Sequence, residues 1–235
     1  MAYRKRVIEK TLKKPDEFIS AIGRMTLFVE ENIRVVIIAL ASAAVIGGTI
    51  LGVYFYKDYI NKNAAGLEYQ AMRYYYGHED TAGSDGYKKS IELFEDLINK
   101  YPNSKSAAIA QYNIGNAYFR MNDLNKAEEA YKKFINKYSG NNILLGLVMQ
   151  KLSYVYIAKK DYDKAIEMLN KIISDISIDG RDQAYFELAR IYETLQKKDD
   201  AINKYSALIR DFPSSPWAAE GAARLGILKG EDKKK

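Results

Sequence analysis

The sequence has no cysteine and only one histidine, and both shortages restrict the chemistry open to it. Without cysteine there is no disulfide, no thiolate nucleophile, no thiol-ligated zinc and no lipid-bearing cysteine of a bacterial lipoprotein. The single His78 stands beside Glu79 and Asp80 without further closely spaced ligands, which is typical of a solvated loop rather than a metal site. The glycine-containing segment 83–86 lacks the Lys-Ser/Thr pair of a phosphate-binding loop and predicts a turn. We therefore expect no catalytic residues, no metal and no cofactor, and so no enzyme.

The net positive charge is also small over most of the chain. Of the formal net charge of +6, residues 1–56 carry +3, from eight Lys/Arg against five Asp/Glu, and Lys233, Lys234 and Lys235 close the chain. The body of the chain is thus near neutral and has no basic face that could follow a phosphate backbone, which argues against nucleic-acid binding. Only 4 prolines, together with 20 tyrosines, indicate an ordered, helix-rich chain.

One long apolar run interrupts this charged composition. From Val35 to Phe55 the chain has 21 residues without a charge, close to the roughly 20 that an α-helix needs to cross a bilayer. Arg34 precedes the run, and aromatic residues with Lys57 follow it, as interfacial anchors do. A buried core helix and a cleaved signal peptide are alternatives, but the cleavage-like triplets within 39–43 lie inside the run. We predict an uncleaved transmembrane helix over 35–56.

Basic residues are unequally distributed around this run. Residues 1–34 contain eight Lys/Arg, whereas residues 57–76 contain three. Because positive segments resist translocation, we predict that segment 1–34 is cytoplasmic and that the C-terminal domain faces the periplasm from a bacterial inner membrane. Within segment 1–34, Pro15 predicts the start of a short amphipathic helix. Its apolar stripe is either a lead-in to the membrane helix or a docking surface, and consists of Phe18, Ile22, Met25 and Val29.

Past residue 57 the chain resembles itself at a period of 37 residues. The segments Tyr101-Pro102-Asn103-Ser104 and Phe212-Pro213-Ser214-Ser215 are 111 residues apart, which is three such periods. Ala127, Ala165 and Ala201 recur between them at separations of 38 and 36, and each is followed by apolar residues at helical spacing. A period of this length is typical of a solenoid of helical hairpins.

The first helix of each predicted hairpin carries a large, a small and an aromatic residue in the same order. The three sets are Ile114, Gly115 and Tyr118; Leu152, Ser153 and Tyr156; and Leu188, Ala189 and Tyr192. The small residue allows the paired helix to approach closely, and the tyrosine fills the space beside it. Before the second helices, the pairs Asn122-Asp123, Lys160-Asp161 and Asp199-Asp200 predict acidic N-caps. This is the pattern of tetratricopeptide repeats (TPRs).

We predict an all-α fold in which a single N-terminal transmembrane helix precedes a TPR-type solenoid. The repeat domain is expected over 57–229, with about four hairpins and a C-terminal capping helix, because one hairpin cannot bury its own apolar face. Its first helix, around Ala64 to Tyr76, is expected to continue the membrane helix. The basic tail 230–235 is too polar to pack, and we expect it to be disordered.

Across residues 57–228 the chain resembles membrane-anchored TPR proteins of the bacterial cell envelope. The basic N-terminal segment, the uncleaved span, the long first helix and the joints at 101–104 and 212–215 look most like the ancillary SecYEG translocon subunit (YfgM-like) family. This resemblance implies a periplasm-facing partner of the protein-export channel, linked to periplasmic chaperones or to envelope assembly. Tyr138-Ser139 departs from the pattern because it lacks the proline of the equivalent joints.

The first helices of a TPR stack form a concave face, where partners bind through side chains that the core does not need. The positions of this kind are Tyr112, Asn113, Asn116, Arg120, Lys151, Tyr154, Phe186, Arg190 and Glu193. Their mixture of aromatic, amide and charged groups suits an extended or helical protein segment. We predict a scaffold or adaptor for protein partners; the alternative for the tyrosines is that they merely pack on their neighbours.

A structural role within the membrane is the competing prediction. Ala44, Gly48 and Gly52 place small residues on one face of the membrane helix, which allows another helix to approach closely. In this alternative the protein forms homo-oligomers through its anchor as part of a larger envelope complex.

Overall fold

The computed structural model describes residues 22–77, 83–140 and 142–230, and all regular secondary structure in these ranges is α-helical. The predicted helix start at Pro15, the first stripe residue Phe18, the lone His78 and the terminal lysines 233–235 lie outside the described residues. Residues 22–31 are helical, and the stripe residues among them are exposed.

Nine helices follow in the described part of the chain. They are α1 (Ile33–Tyr75), α2 (Ser84–Lys100), α3 (Lys105–Arg120), α4 (Leu124–Tyr138), α5 (Asn142–Ala158), α6 (Tyr162–Ser174), α7 (Arg181–Thr194), α8 (Lys198–Asp211) and α9 (Pro216–Lys229). They belong to two compact units, Met1–Asp58 and Tyr59–Lys235, and α1 contributes residues to both.

In the first unit, α1 contains an 18-residue stretch with a mean hydropathy of 2.4, none of which is buried. A helix this long and apolar can cross a membrane. A core helix of a soluble domain would cover its apolar side chains with other parts of the protein. The lack of burial within the described residues therefore argues against the buried-core alternative.

The second unit begins within α1, whose later residues form the first helix of the repeat stack. Ala64 and Ala71 are fully buried and share a core cluster with Phe94 and Leu97 of α2. Since α1 is continuous from Ile33 to Tyr75, the first helix of the stack is the extension of the apolar helix that the sequence predicted.

The later helices of the second unit pair in chain order. α3 packs on α4, α5 on α6 and α7 on α8, and α9 covers the end of the stack by packing on α8. First helices also contact each other between hairpins, α3 with α5 and α7 with α9. This arrangement gives an inner row of first helices and an outer row of second helices, so the prediction of an all-α, TPR-type solenoid is confirmed.

The close helix approach expected at the small residues is most evident at Gly115. A Cβ atom added there would lie 2.6 Å from Cδ1 and 2.9 Å from Cζ of Tyr131, closer than packed atoms tolerate. Tyr131 is fully buried and comes from the paired helix α4, whereas Tyr118 is only partly buried beside it. The equivalent residues Ser153 and Ala189 are fully buried as well. Small residues at this register therefore set the distance between the two helices of a hairpin.

Three-residue turns connect the first and second helices of successive hairpins. In these turns Asn122, Lys160 and Gln196 have φ angles of 59°, 61° and 58°, in the left-handed region that side chains with a Cβ disfavour. The three turns are equivalent under the repeat, so the backbone conformation is retained although the residue type changes.

Acidic caps begin two of the three second helices, as predicted. The side chains of Asp123 and Asp161 accept hydrogen bonds from backbone N–H groups three residues on, at 3.1 and 3.4 Å. The third predicted cap is wrong, because Lys197 occupies the N-cap position of α8. The 36-residue separation of this repeat places Asp199 and Asp200 in the first helical turn, where they can still interact favourably with the helix dipole.

The proline-containing joints begin first helices by serine capping. Ser104 is the N-cap of α3 and accepts a hydrogen bond from the Ala107 N–H at 3.2 Å. Ser215 is the N-cap of α9 and accepts one from the Trp217 N–H at 3.1 Å. A serine cap satisfies a backbone donor that the helix itself leaves unpaired. The two joints therefore share one physical role at positions 111 residues apart.

Candidate functional site

An open groove of about 450 Å³ lies along the inner row of the stack, between the end of α1, α3 and α5. Its lining residues are Tyr75, Tyr76, Tyr112, Asn113, Asn116, Phe119, Arg120 and Lys151. Clefts of this volume are typical of ligand sites in proteins. Five of the nine predicted binding residues are among these eight, so the structure brings together those from α3 and the first from α5.

A chain of hydrogen bonds, here called the amide relay, connects the core to the open groove. The hydroxyl of Tyr131 donates to Oδ1 of Asn116 at 2.7 Å, and Nδ2 of Asn116 donates to Oδ1 of Asn113 at 3.3 Å. This direction satisfies the buried tyrosine hydroxyl and leaves Nδ2 of Asn113 without a partner among the described residues. Asn113 is only 5% exposed, so the groove contains a largely buried amide donor at the end of the relay.

Two positively charged side chains, those of Arg120 and Lys151, line the groove together with this donor. Arg120 is exposed and Lys151 is partly buried, and neither forms an ion pair with the residues that the structure describes. The Lys151 ammonium lies 5.9 Å from the centre of the Tyr154 ring. Burial raises the pKa of Tyr75, and the nearby Arg120 guanidinium partly opposes that rise. The charged side chains described around the open groove are therefore all positive.

The polar residues further along the inner row bind one another in what we call the closed network. The hydroxyl of Tyr154 donates to Oε1 of Glu187 at 3.2 Å and accepts a hydrogen bond from Nε2 of Gln183 at 2.8 Å. Arg190 pairs with the other carboxylate oxygen of Glu187 at 3.3 Å. Burial, followed by the adjacent Glu187 carboxylate, raises the pKa of Tyr154 to about 12. These side chains already have partners within the chain.

The structure corrects the prediction for Phe186, which is a core residue rather than an exposed binding residue. Its ring is only 2% exposed and packs 5.1 Å from the Trp217 ring and 5.8 Å from the Tyr205 ring, measured between centroids. An aromatic ring buried to this degree has almost no surface left for a partner.

Glu193, the last of the predicted set, accepts a hydrogen bond from the Tyr205 hydroxyl. It also pairs with Arg224 at 3.5 Å.

The small residues of the membrane segment lie on an open helix surface. A Cβ atom added to Gly48 or Gly52 would meet nothing within 4 Å, and Ala44 on the same helix is exposed. Their face is therefore available for close approach by another helix, and self-association through it stays a prediction.

Sequence reasoning missed three residues of the open groove, Tyr75, Tyr76 and Phe119. The signal for two of them was present, since one 37-residue period before Tyr112 and Asn113 lies at Tyr75 and Tyr76. The first hairpin deviates from the repeat consensus, and its first helix is the extension of an apolar segment. Those features hid the equivalence of these two tyrosines to the later inner-row residues.

Comparison with known proteins identifies the repeat type independently. The tetratricopeptide repeat-like domain profile matches residues 27–216, which is most of the chain. The outer membrane protein assembly factor BamD of Neisseria gonorrhoeae is 23% identical over 159 residues, covering 67% of this chain and 52% of BamD. The chain thus spans about half the length of the curated relatives that it matches.

Solved structures share the fold at low sequence identity. A tetratricopeptide repeat protein from Parabacteroides merdae superposes with a TM-score of 0.55 at 16% identity, over 72% of this chain and 61% of that one. TPR-like repeats of a Podosopora anserina kinesin light chain give 0.54 at 15% identity, over 74% and 90%. These likenesses concern the fold alone. Together with the profile match, they show that the chain belongs to the tetratricopeptide repeat-like domain family.

Proposed function

We propose that this protein is a membrane-anchored scaffold of the bacterial cell envelope that binds protein partners through the open groove. The observation that carries the proposal is the groove itself, which is lined by four aromatic rings, by two cations that form no ion pair with the described residues, and by the Asn113 amide donor. TPR stacks use inner-row side chains of this kind to bind protein segments. Elsewhere on the inner row, in the closed network, comparable groups already bind one another.

In this proposal, the membrane helix and its orientation determine on which side of the membrane the repeat domain lies. The exposed apolar stretch of α1 spans the inner membrane, and the excess of Lys/Arg before it keeps the N-terminus in the cytoplasm. A signal peptide is disfavoured because α1 continues into the core of the repeat stack, where Ala64 and Ala71 are buried. The repeat domain would then face the periplasm.

The partners in this proposal belong to protein export or envelope assembly. The resemblance to the ancillary SecYEG translocon subunit family supports an interaction with that channel or with periplasmic chaperones. The weak similarity to BamD, an outer membrane protein assembly factor, supports a role in the envelope more generally. Both lines of support concern protein partners, in agreement with the near-neutral body of the chain.

Site-specific photo-cross-linking in intact cells tests the groove. A photo-reactive phenylalanine analogue at Tyr112 should capture discrete partner proteins, whereas the same analogue at the exposed Asn136 of α4 should capture few or none. External protease added to spheroplasts should also remove the repeat domain. Equal capture from both positions would exclude the groove as the binding surface, and full protection of the domain in spheroplasts would exclude the proposed topology.

Oligomerisation through the anchor is the second candidate, favoured by the open surface at Gly48 and Gly52. Because the chain has no cysteine, one introduced cysteine is its only thiol. Ala44→Cys should form disulfide-linked dimers in membranes if the small-residue face mediates contact. Ile46→Cys, about 200° further around the helix, is the matched control. Equal cross-linking of both variants would indicate random collision.

A further inference from the structure

We propose that the open groove recognises an internal Asp or Glu side chain next to an aromatic residue, in an extended segment of the partner protein. This inference rests on the proposed function and specifies the chemistry of the ligand. It follows from which hydrogen-bonding and charged groups the groove presents, which of them have partners, and what surrounds them.

The polar groups that line the groove are predominantly donors. Arg120 and Lys151 carry only donors, and the side-chain nitrogen of Asn113 is a donor as well. Among the described lining residues there is no carboxylate. A carboxylate of the partner would meet two positive charges and an amide N–H, and hydrogen bonds between charged groups are roughly twice as strong as those between neutral groups.

The amide relay fixes the orientation of the buried donor. Because Asn116 accepts from the Tyr131 hydroxyl, its nitrogen faces Asn113, and Asn113 therefore turns its own nitrogen away from the relay. The buried side-chain atom without a hydrogen bond in the described part of the chain is the Tyr138 hydroxyl, so the Asn113 nitrogen keeps contact with solvent. A bound acceptor would replace water at this positioned donor. The groove thus contains a donor that the folded chain positions but does not use among its described residues.

The aromatic rings of the groove predict that the partner segment also contains an aromatic residue. Tyr75, Tyr112 and Phe119 are partly buried around the groove, and Tyr76 at its edge is 66% exposed. Exposed and half-buried rings favour contact with another flat apolar side chain. Since these rings line the same groove as the cations, the partner should carry its aromatic residue beside its acidic one.

An internal side chain fits this geometry better than a chain terminus. The cations come from two different helices, α3 and α5, and Arg120 is exposed, so the positive charge extends along an open surface. A segment that passes along the groove can continue beyond it at both ends. The groove volume of about 450 Å³ is enough for a few side chains of such a segment.

Peptide binding to the full chain in lipid nanodiscs tests the inference. The probes are fluorescent nine-residue peptides, blocked at both ends, with a central Glu-Phe pair and randomised flanking positions. We expect the Glu-Phe pool to bind at least about tenfold more tightly than matched Gln-Phe and Glu-Ser pools, measured by fluorescence anisotropy. Equal affinity of the Glu-Phe and Gln-Phe pools would overturn the proposal. So would tighter binding of a Gln-Phe pool that ends in a free carboxylate.

Three variants connect the binding to the groove. Asn113→Asp keeps the oxygen that accepts from Asn116 but replaces the free donor with an acceptor, and it should weaken binding about tenfold or more. The double variant Arg120→Gln, Lys151→Gln should do the same without altering the relay. Lys133→Gln with Lys137→Gln removes two charges from the outer row and should change binding less than twofold. A similar loss in the outer-row control would show that net charge, not the groove, governs affinity.

The outcomes separate this inference from the proposed function. If no peptide pool binds while position 112 still cross-links partners in cells, the acidic-aromatic recognition is wrong and the scaffold proposal stands. If position 112 captures nothing in cells but the peptides bind with the expected pattern, the recognition chemistry stands and the proposed cellular role fails.

Discussion

The open groove and the closed network occupy equivalent positions of the repeat, but their polar side chains differ in whether they have partners within the chain. Asn116, Tyr154 and Arg190 follow one another at separations of 38 and 36 residues. Asn116 belongs to the amide relay that ends at an unused donor in the groove, whereas Tyr154 and Arg190 both bind Glu187. The position in the repeat therefore determines which row a side chain occupies, but not whether it is available to a partner.

Neighbouring residues explain this difference. The second helix beside Asn116 contributes the hydroxyl of Tyr131, while the equivalent residue in the next hairpin is Leu169, which cannot donate a hydrogen bond. Tyr154 therefore bonds to Glu187 on the following first helix. Glu187 is 6% exposed, and a carboxylate buried to this degree needs partners within the chain.

The largest effect on the groove region should come from Gly115→Leu. The added side chain would collide with the buried Tyr131 ring, which carries the amide relay. We expect a loss of about 3 kcal/mol or more in the free energy of unfolding, because overpacking forces the paired helix away. Chemical denaturation of the full chain in micelles measures it.

The matched control for this substitution is Gly66→Ala in α1. A Cβ atom at Gly66 would meet nothing within 4 Å, so the gain in helix propensity should stabilise the fold by up to about 1 kcal/mol. An unchanged unfolding midpoint for Gly115→Leu would contradict the contact between α3 and α4 described above.

Glu187→Ala should distinguish the two regions most directly. It leaves the Tyr154 hydroxyl and the Arg190 guanidinium without their shared acceptor, and we expect a loss of about 2 kcal/mol in unfolding free energy. Arg120→Ala in the open groove should cost less than about 0.5 kcal/mol, because its exposed charge has no ion partner among the described residues. Comparable losses in the two variants, measured by thermal unfolding, would show that the regions do not differ as described.

Glu128 links the hairpin of the open groove to the hairpin of the closed network and makes the free energy of unfolding depend on pH. Burial of its carboxylate acts to raise the pKa, but hydrogen bonds from Lys132 and Lys159 outweigh burial and hold the pKa at about 2, below its ordinary 4.5. A lowered pKa in the folded state stabilises the fold above pH 4.5, and this contribution is lost as the pH falls towards 2.

Glu128→Gln should therefore reduce the free energy of unfolding by about 1 kcal/mol at neutral pH and flatten its decline between pH 4.5 and 2. Denaturant unfolding at a series of pH values measures both effects. Glu129→Gln is the control, since Glu129 and its partner Lys133 are both largely exposed. The control should keep the acid dependence of the unaltered protein, and an acid dependence as steep in Glu128→Gln as in Glu129→Gln would contradict this assignment.

A smaller effect than that of Glu128→Gln should come from the turn between α7 and α8. Gln196 has a φ of 58°, where a Cβ atom is disfavoured, and Gln196→Gly should raise the free energy of unfolding by about 0.5 kcal/mol. The glycine gives up part of this gain because the unfolded chain becomes more flexible. Lys197→Gly, one residue later at a φ of −88°, should destabilise the fold instead. Melting temperatures of the two variants should move in opposite directions.

The sequence was sufficient to predict the fold because its repeat signals are local. The apolar run, the alanines that open the second helices and the small residues such as Gly115 each specify a helix, its start or its closest neighbour. The state of the inner-row side chains could not be predicted in the same way. It depends on contacts such as Tyr154 with Glu187 and Phe186 with Trp217, which join residues about 30 positions apart on different helices.

The amide relay also makes Tyr131, like the other buried tyrosines, an optical reporter of the fold. Burial raises the pKa of the Tyr131 hydroxyl, and its phenolate could no longer donate to Asn116. A raised pKa in the folded state stabilises the protein below the ordinary tyrosine value of 10.0, and this contribution is lost progressively above it. After a jump to alkaline pH, near-ultraviolet absorbance should thus rise in a fast phase from surface tyrosines and a slow phase from buried ones, and the part of the slow phase that Tyr131→Phe removes reports the rate at which its hairpin opens.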